Sequence, residues 1–309
     1  MALFWLEIKQ KAEYIGRRKI YCPVDFVTRE NVISVVNQIL SLHTENMLSE
    51  EYLYWYRRGV QPILERVKQV RPEINNKVVE NHAAEIVAFK NGYFLTQPAF
   101  YIARRDVDEV NTKVQILNEM LYLSGKQNAD NQLTDWFHTV GVGTLYVEPY
   151  DDSECPIRAY ALDPRSAFVA YSRRPGNDPV LGVNLVISGK KESNVELTLD
   201  VFTRRKYFKL RGGMTGMIIT GAPVVATAYE VVEERENVLG EIPIIEYQYE
   251  NNRLSAFESV IPLLDAINTV ESNRMDGIEQ FIQSLMIFYN CQLGEDEKGN
   301  QITPKHIRE

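Results

Sequence analysis

Cysteine is scarce in this sequence: Cys22, Cys155 and Cys291 are three in 309 residues, odd in number and far apart. They form neither a disulfide framework nor a paired C-x-x-C motif, and they fit a reducing compartment. Histidine is nearly as rare, and none of the four has a second His or Cys at the spacing a metal site needs. Basic blocks are missing too. The largest clusters are Arg17–Lys19 and Arg204–Lys206, and acids outnumber bases 42 to 34, a formal charge of −8. That balance excludes a surface built to grip nucleic acid by neutralising phosphates. No apolar run approaches the ~18 residues of a membrane span, and Glu7 interrupts the apolar start where a secretory signal would continue. The sequence reads as soluble and untargeted, with no membrane partner. No G-x-S-x-G elbow is present, and neither Gly141 and Gly143 nor Gly212, Gly213 and Gly216 match a dinucleotide or P-loop pattern. With no internal repeat or low-complexity tract, solenoids and propellers are unsupported. The residues assign no catalytic group, no metal and no cofactor.

What is present is an ordinary folding composition, 45% hydrophobic and 25% charged, in a chain long enough for about two cores. Val32, Val35, Val36, Ile39 and Leu40 recur at helical spacing after a cap at Thr28, and an aromatic cluster follows from Tyr52 to Tyr56. A second helix is expected from a cap at Asn75 or Asn76 through the stripe Val78, Val79, His82, Ala83, Ile86 and Val87, ending at Asn91-Gly92. His82 on that stripe and His138 beside Trp136 and Phe137 read as core histidines. Tyr93 to Ile102 reads as an extended aromatic stretch that Pro98 confines to an edge or a break. Helices are expected over 107–123 and 129–140, then a strand from Thr144 to Val147. Short alternating strands separated by turns run to about residue 249 and suggest one antiparallel meander. Beyond it, Val260, Ile261, Leu264, Ile267, Met275, Ile278, Ile282 and Leu285 mark a long helix over 259–289, roughly 45 Å. Ser255 with Glu258 would make a capping box, but a cap at Ser259 places Pro262 in the first turn and is preferred. The expected class is α+β: a helical N-terminal part, an antiparallel meander, then the long helix.

Three segments together resemble portal proteins of tailed bacteriophages, the family typified by portals of long-tailed phages of Gram-positive bacteria. They are Asn76 to Pro98; Gly141 to Tyr150 followed by Ile157 to Val169; and Gly240 to Tyr247 followed by Phe257 to Asn268 and Ser272 to Phe281. Their order and spacing cover about residues 50–290. The resemblance implies a homo-oligomeric ring, usually of twelve subunits, at one capsid vertex of the virion, assembled in the host cytoplasm. Its partners would be the terminase packaging motor, a head-completion or adaptor protein, the major capsid or scaffolding protein, and double-stranded DNA passing through the channel. It also implies a division of the chain: residues 1–250 as an α+β wing, 251–284 as a stem helix, and 285–309 as the start of a clip. Portals of this type continue well beyond residue 309, with a return stem helix, a tunnel loop and a crown. The chain is either truncated or a shorter relative.

Residues 251–309 carry nine acids against five bases, and a ring multiplies each charge by the subunit number. An acidic wall makes few counterion-releasing contacts with DNA and so grips it weakly. Glu258, Asp265, Glu271, Arg274, Asp276 and Glu279 are therefore the expected channel or subunit-interface residues, with Glu271 and Glu279 lining the channel or pairing with Arg274 of a neighbour. Leu264, Ile267, Ile278 and Leu285 are the expected helix-packing contacts, partly between subunits. The rival reading is a hydrolase or transferase on a phosphorylated or carbohydrate substrate, with Asp151, Asp152 and Glu154 beside Arg158. A third is an adaptor or scaffold protein that forms no ring.

Overall fold

The computed structural model describes residues 16–95, 97–104, 107–190, 193–213, 228–282 and 294. Helix α1, Val32–Arg57, is the spine. Thr28 O accepts the Val32 amide at 2.9 Å, while the side chain of Asn31, rather than Thr28, stands at the helix start and accepts the Thr28 amide at 2.8 Å. The first half of α1 presents Val32, Val35, Val36 and Ile39 to a sheet. Its second half carries Leu53 and Tyr56 into a different core, so one helix joins two hydrophobic bodies.

The strands are β1 Ile20–Tyr21, β2 Val142–Pro149, β3 Ile157–Leu162, β4 Ala167–Tyr171, β5 Pro179–Lys190, β6 Ser193–Phe202, β7 Lys206–Gly213, β8 Ala228–Glu236 and β9 Ile244–Gln248. The expected single meander is in fact two sheets. One has the order β1-β4-β5-β6-β7-β8, antiparallel except where β1 joins β4 in parallel; the other is β3-β2-β9. Alternation explains how the two pack. Phe168 and Ala170 face α1, while Val169 between them faces Ile242 and Ile244 of the β9 segment.

Helix α2 is His82–Phe94, α3 is Asp108–Leu123 and α4 is Lys126–Val140. Ala129, Leu133 and Phe137 of α4 cover Leu145 and Ala159 of the smaller sheet. Several expectations change here. Asn75 and Asn76 do not open α2, because residues 74–81 belong to no helix and Asn76 is bonded elsewhere. Asn91-Gly92 does not end it: the Asn91 side chain instead bridges Asp135 and His138 at 2.7 Å each, and α2 runs on through Tyr93 and Phe94. His138 is buried as expected, and burial pulls its pKa down to about 4. His82 is not; it lies at the surface against Glu85 at 2.8 Å. Residues 97–104 form no strand.

Helix α5, Ile261–Ile282, follows a short 3-10 turn at Glu258–Val260, with Pro262 in its first turn. The capping interaction is that of Ser255, whose amide donates to Glu258 Oε2 at 3.0 Å, and not one from Ser259. At 22 residues, α5 is about 33 Å long. Leu285 and residues 295–309, which hold most of the expected clip, lie outside the described residues. No helix among the described residues is long and apolar enough to cross a membrane.

Candidate functional site

The lead-in to α5 is fixed by a close backbone approach. Gly141 ends α4 at φ +90, and a Cβ there would sit 2.1 Å from Arg253 O. Only glycine fits both that conformation and that contact. The seam is completed by Ala256 N–H donating to His138 O at 2.9 Å and by two ion pairs, Arg17 to Glu258 and Arg253 to Glu246, each 2.5 Å. Glu50 of α1 lies fully buried near these charges, and burial raises its pKa to about 8.

Along its length, α5 inverts the usual amphipathic rule. Below Leu264, which packs with Tyr56 and Phe257, its buried stripe is polar: Asn268, Ser272 and Asp276 at fourfold spacing are 0%, 0% and 3% exposed. Their partners are backbone amides of the extended segment 76–80. Asn76 N–H donates to Asp276 Oδ1 at 2.7 Å, Val78 N–H to Ser272 Oγ at 3.0 Å, and Glu80 N–H to Asn268 Oδ1 at 2.8 Å. Alternate amides of an extended chain recur about every 6.6 Å and fourth residues of a helix about every 6 Å, so the two periods match over three rungs. Asn268 Nδ2 also donates to Gln61 at 2.5 Å. Asp276 further accepts from Asn76 Nδ2, Lys68 and Arg66, all at 3.0 Å. Burial opposes its charge, but the Asn76 amide and Lys68 outweigh it and hold the carboxyl at about 2.

Away from that stripe several large apolar side chains lie open, beside the exposed Asn273 and Arg274. Leu263 is 60% exposed, Val270 62% and Ile278 47%, with Met275 and Ile282 also exposed.

Against this frame the six expected charged residues separate. Glu258 is drawn inward to Arg17, Gly16 and Ser255, and Asp276 is buried against the 76–80 segment, so both are engaged by partners within their own subunit. Asp265 accepts Tyr56 OH at 2.9 Å, and Glu279 accepts Asn76 Nδ2 at 2.8 Å. Glu271 and Arg274 remain outward and meet each other at 3.5 Å within the helix. Leu264 is buried in its own subunit, Ile267 is partly buried beside it, and Ile278 is exposed. Sequence reasoning missed Asn268, Ser272 and the 76–80 segment; the only signal was the fourfold spacing of polar residues.

The rival cluster is a surface turn. Asp152 Oδ1 accepts the Glu154 amide at 2.9 Å, and Arg158 stacks on Tyr150 at 4.5 Å instead of joining the carboxylates. Among the described residues no group of three His, Cys, Asp or Glu is placed to hold a metal.

The structure is thus an α+β body that seats a helix with large apolar side chains left open. A family model described as "Phage portal protein, SPP1 Gp6-like" matches residues 42–306, and the chain belongs to that family. No curated protein matches the sequence as a relative. The chain's function is that of a phage portal, a structural component of the virion that acts as an oligomeric ring with capsid, terminase and DNA as its general partners.

Proposed function

We propose that α5 is the stem helix of a twelve-subunit portal ring, that residues 1–250 form the wing and 251–284 the stem, and that 285–309 begin the clip. The observation that carries this reading is the reversed polarity of α5, whose polar stripe is consumed by its own subunit while Leu263, Val270, Met275 and Ile278 are left outward. In a ring the neighbouring stem covers those side chains. Glu271 and Arg274, the outward charges, sit at the channel or at the seam between stems. Pairing within one helix leaves little net charge to hold passing phosphates, which suits translocation. Terminase meets the clip, a head-completion protein joins the same end after packaging, and the capsid or scaffolding protein surrounds the wing.

The test is Val270→Asp and Ile278→Asp, assayed by native mass spectrometry across concentration. Both sites are exposed in the subunit, so its own stability should move by less than about 0.5 kcal/mol. The concentration at half assembly should rise at least tenfold, about 1.4 kcal/mol per contact. Rings forming as readily as in the parent would remove α5 from the interface.

A further inference from the structure

We infer that a second intersubunit contact lies on the wing, where helix α3 and the 97–104 segment of one subunit are covered by a neighbouring copy of the same chain. This rests on the ring reading but not on the role of α5. Helix α3 has 16 residues and none of them is buried. Isolated helices of that length are marginal in water, and the described residues of its own subunit cover α3 only in part. The 97–104 segment is pinned to it by a side-chain amide acting as a strand would: Asn118 Oδ1 accepts the Tyr101 amide and Asn118 Nδ2 donates to Tyr101 O, each at 2.8 Å. On either side of that pin lie two clefts of about 520 and 780 Å³ that share Tyr101, Asn118 and Tyr122.

The side chains around them are large and open: Phe100 is 69% exposed, Tyr101 58%, Ile102 79% and Tyr122 74%. At about 200 Å² per side chain, these four present close to 600 Å², at the top of the range for the largest apolar patch on a monomer and most of the about 800 Å² that a stable interface buries per partner. The cation lining the clefts, Lys126, is already paired with Asp130, and Arg104 stands exposed at the end of the 97–104 segment, so the large apolar side chains rather than charge set the character of this face. A motor that docks and leaves calls for a more polar contact, whereas an apolar one suits a neighbour that stays. A ring contact is heterologous, with one patch meeting a different patch on the next copy, so this face would be met by another surface of the neighbouring subunit rather than by itself.

The test uses the full chain with Ile102→Asp and, separately, Tyr122→Asp. We expect a rise of at least tenfold in the half-assembly concentration, with the circular dichroism of the dissociated subunit unchanged. A third variant, Tyr122→Cys, gives a readout independent of stability: maleimide should modify the added thiol in dilute subunits and at least tenfold more slowly in rings, measured as the increment over the parent. Normal assembly of both Asp variants, with equal labelling in rings and subunits, overturns the inference. So does normal assembly with loss of co-assembly with capsid or scaffolding protein, which would give the face to that partner. The α5 variants are scored in parallel; if they assemble normally while Ile102→Asp does not, the stem reading falls and this one stands.

Discussion

Removing one rung of the 76–80 ladder should loosen one amide and leave its neighbours intact. Ser272 is fully buried, and its hydroxyl is the acceptor for Val78 N–H at 3.0 Å. In Ser272→Ala that donor keeps its position and loses its partner, which costs about 1–2 kcal/mol of subunit stability. Asn268→Ala deprives both Glu80 N–H and Gln61 and should cost more, about 2–3 kcal/mol. Asp276→Ala abandons Lys68 and Arg66, whose side chains are only 22% and 18% exposed, and should cost about 3–5 kcal/mol. Urea unfolding supplies the totals, and hydrogen exchange resolved to single amides supplies the assignment. In the parent the amides of residues 76, 78 and 80 should exchange slowly although they belong to no helix or strand. In Ser272→Ala the Val78 amide should speed up while those of Asn76 and Glu80 stay protected. Fast exchange at all three in the parent, or unchanged protection of Val78 in the variant, would refute the ladder and with it the account of how α5 is seated.

Two further outcomes concern pH. Asp276 is held at about 2 against an ordinary value of 3.8, so its unfolded form takes up protons first as pH falls. Its contribution, about 2 kcal/mol, is fully present above pH ~4 and is lost as pH drops toward 2; Asp276→Asn should lack this acid-dependent component in unfolding curves, and curves parallel to the parent's would contradict it. Glu50 has the opposite sign. Burial raises it from 4.5 to about 8, so the folded state holds the proton more tightly, and stability is greatest below the lower value and declines as pH rises through the upper one. Glu50→Gln should flatten that decline by about 3–5 kcal/mol between pH 5 and 9, and an unchanged slope would show that Glu50 is not carried neutral.

Elements with one apolar face on one partner were legible in the sequence, as the α1 stripe from Val32 to Leu40 shows by lying where its period places it on the six-stranded sheet. The strand character of the stretch from Thr144 to about 249 was legible, but neither every turn nor the pairing was: Arg211 to Gly213 lies within β7 rather than in a turn, and only tertiary packing sends β9 to β2 instead of β8. Asn91-Gly92 carries the signature of a helix stop, yet two side-chain bonds from Asn91 across to α4 make the helical conformation the better one. The seat of α5 was hidden for a different reason. Asn268, Ser272 and Asp276 look like a solvated face, since nothing in the sequence says that residues 76–80, nearly two hundred positions earlier, arrive extended with their amides aimed at it. The acidic residues were counted correctly but not placed, because a count of charge does not reveal which of them already have a partner. Asp276 and Glu258 are used inside the subunit; Glu271 is not buried.

Electron microscopy of the assembled chain at a resolution that shows helices tests the account most directly. The account predicts a closed ring with a central hole, α5 nearest the axis with its Val270 and Ile278 face against the next subunit and its Ser272 face against its own wing. Lone subunits at micromolar concentration, or rings in which α5 lies on the outer rim, would contradict it.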